Sequence, residues 1–443
     1  MAARVTGNAD VPVRALGGIE RGVYEIDAGY PLNFTTAARI EGPLTAELIR
    51  AALPAVRARH PALRWRILRA EDRAPFFHPS DAPLRLREAA RMTPVAELEY
   101  EINAPFDTAS DALARFALVD CGGNGRWLLA TMHHCIGDGM SGVFLMGDLV
   151  EACAQLHAAQ PAGLPPLEPT RAVDDLLPPS AHGAKALANH ARILAREGWL
   201  ALTAGRPLKL RRERSVATPD RRARIRAFHF DPTEADRIGT RARGEQTTVH
   251  GALSAAMILE LLADSGEKKG SIAFGSPTNL RSALVAPVGE SLGFFISMVV
   301  FRAALRADAA FWDVARLVRR QLEAEISRGG QLSMLALMPA IGRLSGVGKL
   351  EGRALLECWE KNVPTTTGLT NLGRLGIETR YGPFSIEALH FSASPSALGD
   401  FVGTATSLHG HLYWNFVWPD PVISEAHAAV LTDGIVARLR AAL

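Results

Sequence analysis

The sequence contains few cysteines, and their positions match no disulfide or metal-binding pattern. Only four occur among 443 residues, Cys121, Cys135, Cys153 and Cys358, and no two of them form a CxxC pair. A disulfide-stapled secreted scaffold is therefore excluded. Residues 1–18 also lack the apolar core of a signal peptide. We therefore expect a reducing, cytoplasmic location.

Long hydrophobic runs and an excess of one charge are missing as well. The longest apolar candidate, residues 294–301, has the length of a strand, whereas a membrane-spanning helix needs roughly 20 residues. The 49 basic and 46 acidic residues give a formal net charge of +3. This charge is too balanced to predict binding to nucleic acid or to a membrane surface, and we expect neither partner.

Several catalytic signatures are absent too. Ser141 is not part of a GxSxG turn, so a serine hydrolase has no support there. No HExxH motif occurs, and no cluster of cysteines and histidines completes a zinc shell. We therefore predict no metal site.

The amino-acid composition is that of a globular protein, with enough apolar residues for two hydrophobic cores. Hydrophobic residues make up 48% of the chain and charged residues 21%, and a chain of this length exceeds a usual single core. Alternating apolar residues predict strands at 33–40, 114–119 and 411–418, while helical spacing predicts helices at 45–56 and from 424. These patterns indicate two α/β units of similar size.

A connecting segment separates the two units. We predict an N-terminal unit over residues 1–165, a connection over 166–225 and a C-terminal unit over 226–443. Prolines crowd the beginning of the connection, which is typical of an extended surface segment, and a helix is predicted through 187–194. The basic residues between 209 and 226 are either a solvated face or a contact for an acidic carrier domain or a phosphate-bearing substrate arm.

Residues 131–141, TMHHCIGDGMS, are the most informative stretch. They follow an apolar run typical of a buried strand and precede a helical pattern at residues 143–150. Adjacent side chains on a strand point to opposite faces, so His133 and His134 cannot easily do the same job. We expect one of them to face a cavity and the other to face the interior.

The chemistry of these histidines leaves alternatives open. A histidine can remove a proton from an attacking hydroxyl or amine, which typically contributes about 10²–10⁴ in rate, and His134 is either such a base or a structural residue. His133 is typical of a satisfied core histidine. Metal binding by these two histidines and Asp138 lacks a recognisable ligand set. Gly137 and Gly139 permit a tight turn or the close approach of a ligand.

The sequence HHCIGDG at residues 133–139 resembles the HHxxxDG signature of the condensation-domain superfamily. That superfamily includes nonribosomal peptide condensation domains, polyketide-associated acyltransferases and chloramphenicol acetyltransferase. Further segments resemble those of the family in the same order: RHPALR at 59–64, NAPFD at 103–107, NLR at 279–281 and LGFF at 292–295. The resemblance therefore extends over most of the chain.

The resemblance implies an α/β fold of two chloramphenicol-acetyltransferase-like subdomains, which form a V-shaped pseudo-dimer with an active-site tunnel between them. It implies that His134 is catalytic and that an ion pair between Asp138 and Arg281 holds the loop. The backbone around Gly139 is expected to help receive a developing oxyanion. The motif residues with structural roles would be His133, Asp138, Gly139 and Arg281.

Departures from the family's other patterns narrow the expected activity. The SxAQxR-like opening and RDxSRNP-like late segment of modular peptide synthetases are absent, and so is the DFGWG of plant acyltransferases. NLGR at 371–374 instead resembles free-standing members that make esters. Asn371 and Gly137 are the expected substrate contacts. We expect a free-standing, monomeric enzyme of natural-product biosynthesis.

The leading hypothesis is an acyltransferase that works without a bound cofactor. It would move a polyketide, fatty or peptidyl chain from the phosphopantetheine arm of a carrier protein, in another chain, to the hydroxyl of a small molecule. A second hypothesis replaces the donor by acyl-coenzyme A, with an alcohol or amine as acceptor. A third, of another class, is a catalytically silent carrier-binding module, since a fold alone does not fix a function.

Overall fold

The computed structural model describes residues 13–443, except residues 71–73, 90–92, 123–124, 204, 333–334, 336–353, 355–356, 359–364 and 396–398. The helices within this part of the chain are α1 (Gly18–Asp27), α2 (Ala46–Arg59), α3 (Pro94–Asn103), α4 (Gly139–His157), α5 (Gly183–Thr203), α6 (Pro232–Gly244), α7 (Val249–Asp264), α8 (Phe311–Ser327) and α9 (Glu425–Ala441). The strands are β1 (Arg14–Ala15), β2 (Asn33–Glu41), β3 (Trp65–Leu68), β4 (Phe76–Pro79), β5 (Arg85–Glu88), β6 (Ala114–Asp120), β7 (Gly125–His133), β8 (Arg222–Phe230), β9 (Lys269–Asn279), β10 (Ile296–Arg306), β11 (Thr367–Arg374), β12 (Arg380–Tyr381), β13 (Phe384–Ala393), β14 (Val402–Leu408) and β15 (His411–Asp420).

Two six-stranded sheets form the frame of the molecule. One has the order β12-β13-β2-β7-β6-β5, and the other has the order β10-β9-β11-β14-β15-β8. A small third sheet joins β1, β4 and β3. β13 lies late in the chain but pairs antiparallel with β2, from Ser385 opposite Glu41 to Ala393 opposite Phe34. The late part of the chain therefore completes the early sheet.

Each large sheet has its own hydrophobic core. The core of the first half contains Phe34 and Phe116, and that of the second half contains Trp414 and Phe416. A smaller apolar cluster connects the halves, because side chains of β2, β6 and β7 meet side chains of β8, β14 and β15 there. The two halves are thus docked through buried apolar contacts rather than joined only by the connecting chain.

Side-chain caps explain where several helices begin. The Oγ1 of Thr45 accepts a hydrogen bond from the N–H of Leu48 at 3.1 Å at the start of α2, and the Oγ of Ser424 accepts one from His427 at 3.2 Å at the start of α9. α2 ends where His60, the residue before Pro61 in the sequence, adopts an extended conformation. These ends confirm the two predicted helices.

The predicted strands at 33–40, 114–119 and 411–418 are confirmed as β2, β6 and β15. The helix predicted in the connection is confirmed as α5. α3 has no counterpart among the sequence predictions, although Thr93 caps it and Pro94 occupies its first turn. None of the helices described is long and apolar enough to cross a membrane. The division at residues 165 and 225 stays a prediction.

Candidate active site

His134 lies in the turn that joins the end of β7 to the start of α4. β7 ends at His133 and α4 begins at Gly139. Asp138 is the N-cap, and its Oδ1 accepts a hydrogen bond from the N–H of Ser141 at 2.8 Å. This arrangement confirms the strand and helix predicted on either side of the motif. The helix begins four residues earlier than its apolar periodicity indicated.

The two adjacent histidines have different surroundings, as strand geometry predicts. His133 is fully buried. Its Nδ1 accepts a hydrogen bond from the N–H of Cys135 at 3.1 Å, so the ring proton is on Nε2, which lies 3.3 Å from the Oδ2 of Asp27. The ring of Phe106 packs edge-on at a centroid distance of 6.2 Å. The structure thus places His133 in the interior, whereas His134 lines a cavity.

One hydrogen bond determines the tautomer of His134. Its Nδ1 lies 2.8 Å from the carbonyl oxygen of Gly137. A carbonyl oxygen can only accept, so Nδ1 carries the ring proton and Nε2 keeps its lone pair. The rings of Phe34 and Phe294 flank the imidazole at centroid distances of 4.9 and 5.1 Å. Nε2 of His134 is therefore the basic atom of this turn.

Burial makes His134 a neutral imidazole at physiological pH. Desolvation lowers the pKa of His134 below its ordinary value of 6.5, and it outweighs the opposing effects of the hydrogen bond to Gly137 and the charge of Asp138. A buried positive charge would be costly among the flanking phenyl rings. The lone pair on Nε2 is consequently available to accept a proton.

The cavity beside His134 has a volume of about 200 Å³ and is lined by both halves. Its walls are largely apolar. The first half contributes Val23, Leu32, Asn33, Phe34, His134, Gly139 and Met140, and the rest of the lining comes from Pro277, Thr278, Asn279, Phe294, Ile296, Met298, Thr370, Asn371, Leu372, Phe391, Ala393 and Ser394. Larger clefts of about 530 and 780 Å³ lie elsewhere and do not contain His134. Chemistry rather than size therefore identifies this cavity as the candidate site.

An ion pair across the two halves holds the start of α4. Asp138 is only 1% exposed, and its Oδ1 accepts a hydrogen bond from Nη2 of Arg281 at 3.2 Å. Its Oδ2 accepts another from the backbone N–H of Phe295 at 3.1 Å. Arg281 also donates to the carbonyl oxygens of Gly289 and Ser291 at 3.0 and 2.9 Å. The structure thus brings together Asp138 and Arg281, as the resemblance implied, and both side chains lie away from the cavity lining.

Ser141 completes this junction, and the sequence analysis did not assign it a role. Its Oγ lies 2.9 Å from the Oδ1 of Asp138 and 3.2 Å from the carbonyl oxygen of Gly293, and it accepts a hydrogen bond from Arg281 at 3.0 Å. Its position three residues after the N-cap residue could have indicated this role in the sequence, because the side chain at that position of a helix can reach back to the N-cap residue. Ser141 is therefore a structural residue of the loop.

Asn33 is a second residue that the sequence analysis did not identify as part of the site. It is fully buried and lines the cavity, and its Nδ2 donates to the carbonyl oxygen of Ala104 at 2.6 Å. Among the residues described, no donor reaches its Oδ1. A buried oxygen left unpaired costs about 1–3 kcal/mol, so Asn33 is a polar side chain of the cavity wall whose hydrogen-bonding capacity the described residues do not fill.

Asn371 and the glycines of the motif occupy distinct positions. Asn371 lines the cavity, while its Oδ1 accepts a hydrogen bond from Gly373 at 2.8 Å and so holds the end of β11. A Cβ at Gly137 would lie 3.1 Å from the ring of Phe34. Gly137 therefore packs behind the imidazole, whereas Gly139 lines the cavity itself.

We expect the substitution Gly139→Ala to lower the rate of the reaction at this cavity by about tenfold, because a small displacement beside the reacting groups has a large effect. The added Cβ would lie 2.8 Å from the Cδ2 of Leu372, a flexible side-chain end that can move into the cavity. Thermal unfolding should therefore change little. Gly22→Ala on α1 is the matched control, since nothing lies within 4 Å of its Cβ position. Equal turnover by both variants would contradict the assignment of this cavity.

The other segments of the resemblance also connect the elements around the site. Arg59 donates to Asp148 of α4 at 2.7 Å and to Glu290 at 2.6 Å, and His60 lies 2.8 Å from the same Asp148 carboxylate. Glu290 belongs to the loop between β9 and β10 that also contains Arg281. This segment thus links two helices of the first half to the loop of the second half that contacts Asp138.

Asn103 of the NAPFD segment makes a second connection between the halves. Its Oδ1 accepts a hydrogen bond from the N–H of Ala223 in β8 at 2.8 Å, and its Nδ2 donates to the carbonyl oxygen of Ala223 at 2.9 Å. Through these two bonds the side-chain amide of Asn103 pairs with the backbone of β8 as the backbone of a neighbouring strand would.

No group of three or more His, Cys, Asp or Glu residues that could hold a metal occurs among the described residues.

The condensation-domain family model matches residues 27–330. This region exceeds half of the chain, and the chain therefore belongs to the condensation-domain family. Phosphinothricin tripeptide synthetase PhsC of Streptomyces viridochromogenes is 29% identical over 324 residues, which cover 69% of this chain and 28% of that protein. The chain spans between 1% and 28% of the length of the curated relatives that it matches.

Solved structures establish the architecture. Trichothecene 15-O-acetyltransferase from Fusarium sporotrichioides superposes with a TM-score of 0.73 at 13% identity and covers 99% of this chain and 97% of its own. Polyketide synthase associated protein 5 from Mycobacterium tuberculosis gives 0.68 at 15% identity and covers 97% of each chain. The fold is thus a pair of chloramphenicol-acetyltransferase-like subdomains in a V-shaped pseudo-dimer, as the sequence resemblance implied.

Proposed function

We propose that this chain is an acyltransferase that moves an acyl chain from the phosphopantetheine thioester of a carrier protein to an acceptor hydroxyl, in natural-product biosynthesis. The observation that supports it most directly is the hydrogen bond from Nδ1 of His134 to Gly137, because it leaves Nε2 unprotonated beside a cavity lined by both halves. Condensation domains act on substrates carried by phosphopantetheine and need no bound cofactor.

In the proposed mechanism His134 is the general base. Its Nε2 takes the proton of the acceptor hydroxyl while the hydroxyl oxygen attacks the thioester carbonyl carbon. The tetrahedral intermediate then collapses, the carbon–sulfur bond breaks, and the departing sulfur receives the proton from His134. The products are an ester and the free thiol of the arm, so the base is regenerated with no external oxidant or metal.

The start of α4 supports the developing negative charge. The first N–H groups of a helix have no partner within the helix, and its N-terminus carries a partial positive charge. Asp138 caps the N–H of Ser141, and the N–H of Gly142 bonds to the carbonyl oxygen of Asp138. Gly139 and Met140 line the cavity in the same turn. Their N–H groups are the proposed donors to the oxyanion.

The hydroxyl acceptor is supported by the structural neighbour whose name specifies a 15-O-acetyltransferase. The carrier-bound donor is supported by the family, because condensation domains work with carrier-protein domains. Asn33, which lines the cavity and whose Oδ1 has no donor among the described residues, is the proposed acceptor for a substrate hydroxyl or amide N–H. Asn371, from the other side of the cavity, is the proposed second substrate contact.

A donor and acceptor comparison tests the function. Octanoyl-loaded carrier protein and octanoyl-coenzyme A are each incubated with the full chain and a panel of alcohols and amines, and products are followed by intact-protein and small-molecule mass spectrometry. We expect loss of the octanoyl mass from the carrier and formation of an ester. Turnover only with octanoyl-coenzyme A would establish the second hypothesis. Carrier binding without any product would establish a silent binding module.

The pH dependence of turnover should report the base. Because burial lowers the pKa of His134 below 6.5, kcat/KM is expected to be constant through neutral pH. It should fall only when acid protonates Nε2, so the midpoint of the acidic limb lies below pH 6.5. The acidic limb of the pH profile is measured from steady-state rates between about pH 4.5 and about pH 8 in a buffer of constant ionic strength. A midpoint above 6.5 would argue against His134 as the base.

A further inference from the structure

The wall of the cavity beside His134 carries no charge. None of the described residues that line it is an aspartate, a glutamate, a lysine or an arginine. His134 is itself neutral at physiological pH, because burial lowers its pKa. An ionised group in this cavity would therefore have no partner of opposite charge, and burying an unpaired charge is very costly. The group that occupies the cavity is accordingly uncharged.

Several polar side chains of the wall already bond to neighbouring backbone groups. The Oγ1 of Thr278 donates to the carbonyl oxygen of Ser297 at 3.2 Å. The Oδ1 of Asn279 accepts a hydrogen bond from the N–H of Arg281 at 2.9 Å. Large apolar side chains make up much of the remaining wall: Phe34, Met140, Phe294, Ile296, Met298 and Phe391. A hydrocarbon group therefore complements this cavity better than a polar one does.

The residues that lead into β10 give the cavity a direction. Phe294, Ile296 and Met298 all line it and are each two residues apart, the spacing that puts side chains of a strand on one face. The ring of Phe294 packs against the imidazole of His134 at a centroid distance of 5.1 Å. Four residues of chain span at most about 14 Å. Met298 is therefore the member of this row that lies farthest along the chain from the contact with His134.

The row of lining residues stops at Met298. In the antiparallel pair of β9 and β10, Met298 lies opposite Pro277, and both line the cavity. Val300 and Gly275 form the next pair on the same face, and neither is among the described residues that line it. Arg196 of α5 donates to the carbonyl oxygen of Val300 at 3.4 Å, so α5 lies against β10 at this level. The side chain of Met298 thus stands at the end of the cavity.

The volume of the cavity limits the size of the group that it can hold. The cavity measures about 200 Å³. Since an apolar protein cavity of about 150 Å³ holds one benzene molecule, this volume holds roughly six to eight carbon atoms. An extended chain of about eight carbons, at about 1.2 Å per bond, is about 9 Å long and fits within the row from Phe294 to Met298.

We propose that this cavity binds the acyl chain of the substrate as an uncharged hydrocarbon group of roughly six to eight carbons, and that Met298 limits its length. The inference rests on the proposed function, because it names the acyl group that is transferred beside His134. The alkyl part of an acceptor alcohol is a second source of the same chemistry, and the experiment separates the two sources.

A chain-length series tests the proposal. The donor that gives an ester in the donor and acceptor comparison is prepared with acetyl, butyryl, hexanoyl, octanoyl, decanoyl and dodecanoyl groups. We expect kcat/KM to rise about fourfold with each added methylene as far as hexanoyl or octanoyl, and to stop rising beyond them. A suberoyl donor has the length of octanoyl but ends in a carboxylate, and it should react at least about 100-fold more slowly.

Met298→Ala should move the length limit. The substitution removes the thioether end of a half-buried side chain and so lengthens the row. The ratio of kcat/KM for decanoyl to that for octanoyl should rise about tenfold, the contribution of two further buried methylenes. Val299→Ala is the matched control, because Val299 is the next residue of β10, is buried and is not among the described residues that line the cavity. It should leave this ratio unchanged.

Three results would overturn the proposal. They are a kcat/KM that keeps rising through dodecanoyl, equal rates with suberoyl and octanoyl donors, and an equal change of the ratio in both variants. The acceptor is tested by varying the alcohol from ethanol to 1-decanol with the octanoyl donor. A length limit that appears only in this alcohol series, and that Met298→Ala moves, would assign the cavity to the acceptor instead of the acyl chain.

The inference and the proposed function fail separately. If no donor gives an ester, the proposed function fails, and the cavity is measured by isothermal titration calorimetry with S-butyl- to S-dodecyl-N-acetylcysteamine, thioethers that cannot transfer a group. Their affinity should rise about fourfold per methylene as far as the hexyl or octyl compound. Met298→Ala should extend this limit. An affinity that does not depend on chain length, or a limit that the substitution leaves in place, overturns the inference even where the proposed function holds.

Discussion

His134→Ala should lower kcat/KM for acyl transfer by about 10²–10⁴, the contribution typical of a positioned general base. The variant removes Nε2, the atom that the hydrogen bond between Nδ1 and Gly137 leaves unprotonated. It removes no member of the network around Asp138 and Arg281. The fold should therefore be kept, and steady-state rates measured beside thermal unfolding curves will separate lost chemistry from lost structure.

His134→Asn is the sharper companion variant. An asparagine amide can still donate to the carbonyl oxygen of Gly137, as Nδ1 does in the native turn, but it has no basic atom in place of Nε2. Its activity should fall as far as that of the alanine variant, with an unchanged unfolding midpoint. Undiminished turnover by either variant would remove His134 from the mechanism. Rates restored by His134→Asn alone would show that the turn, rather than the base, matters.

Arg281→Ala should reduce the free energy of unfolding by about 3–5 kcal/mol, because removing one partner of a buried ion pair leaves the other charge uncompensated. Asp138 is 1% exposed, and the alternative donors around it are the N–H groups of Ser141 and Phe295 and the hydroxyl of Ser141. The same substitution frees the loop that Arg281 holds through Gly289 and Ser291. Urea titration followed by circular dichroism measures the loss.

A double-mutant cycle shows whether the loss belongs to the pair. Asp138→Ala combined with Arg281→Ala should be less destabilised than the sum of the single variants, since neither charge is then left alone. Arg306→Ala is the matched control, because the Arg306–Asp308 pair is exposed and such pairs contribute little. If Arg281→Ala and the control unfold at the same urea concentration, Arg281 does not hold the loop.

Local patterns were sufficient to predict the elements that carry the candidate site. Strand periodicity followed by a polar turn predicted that the two histidines lie at the junction of β7 and α4. Because adjacent side chains on a strand point to opposite faces, the sequence also predicted different surroundings for His133 and His134. Caps such as Thr45 and Ser424 placed helix starts, because the hydrogen bonds involved span only three residues. The pairing of Asp138 with Arg281 was predicted only from the resemblance to the condensation-domain superfamily, because no local sequence pattern links positions so far apart.

Contacts between distant parts of the chain were not predictable in this way. Asn33 lies in the site because β2 pairs with β7 and because the loop after α3 supplies the carbonyl oxygen of Ala104. Nothing near Asn33 in the sequence marks either neighbour.

The position of β13 in the first sheet has a consequence for how the chain folds during synthesis. β2 is an interior strand only when β13 pairs with it, and β13 ends at Ala393. Until the ribosome has released that residue, the early sheet has an open edge, and pairing across about 350 residues closes a loop of high contact order. The first sheet is therefore completed only after most of the second half has been synthesised, and its open edge is exposed until then.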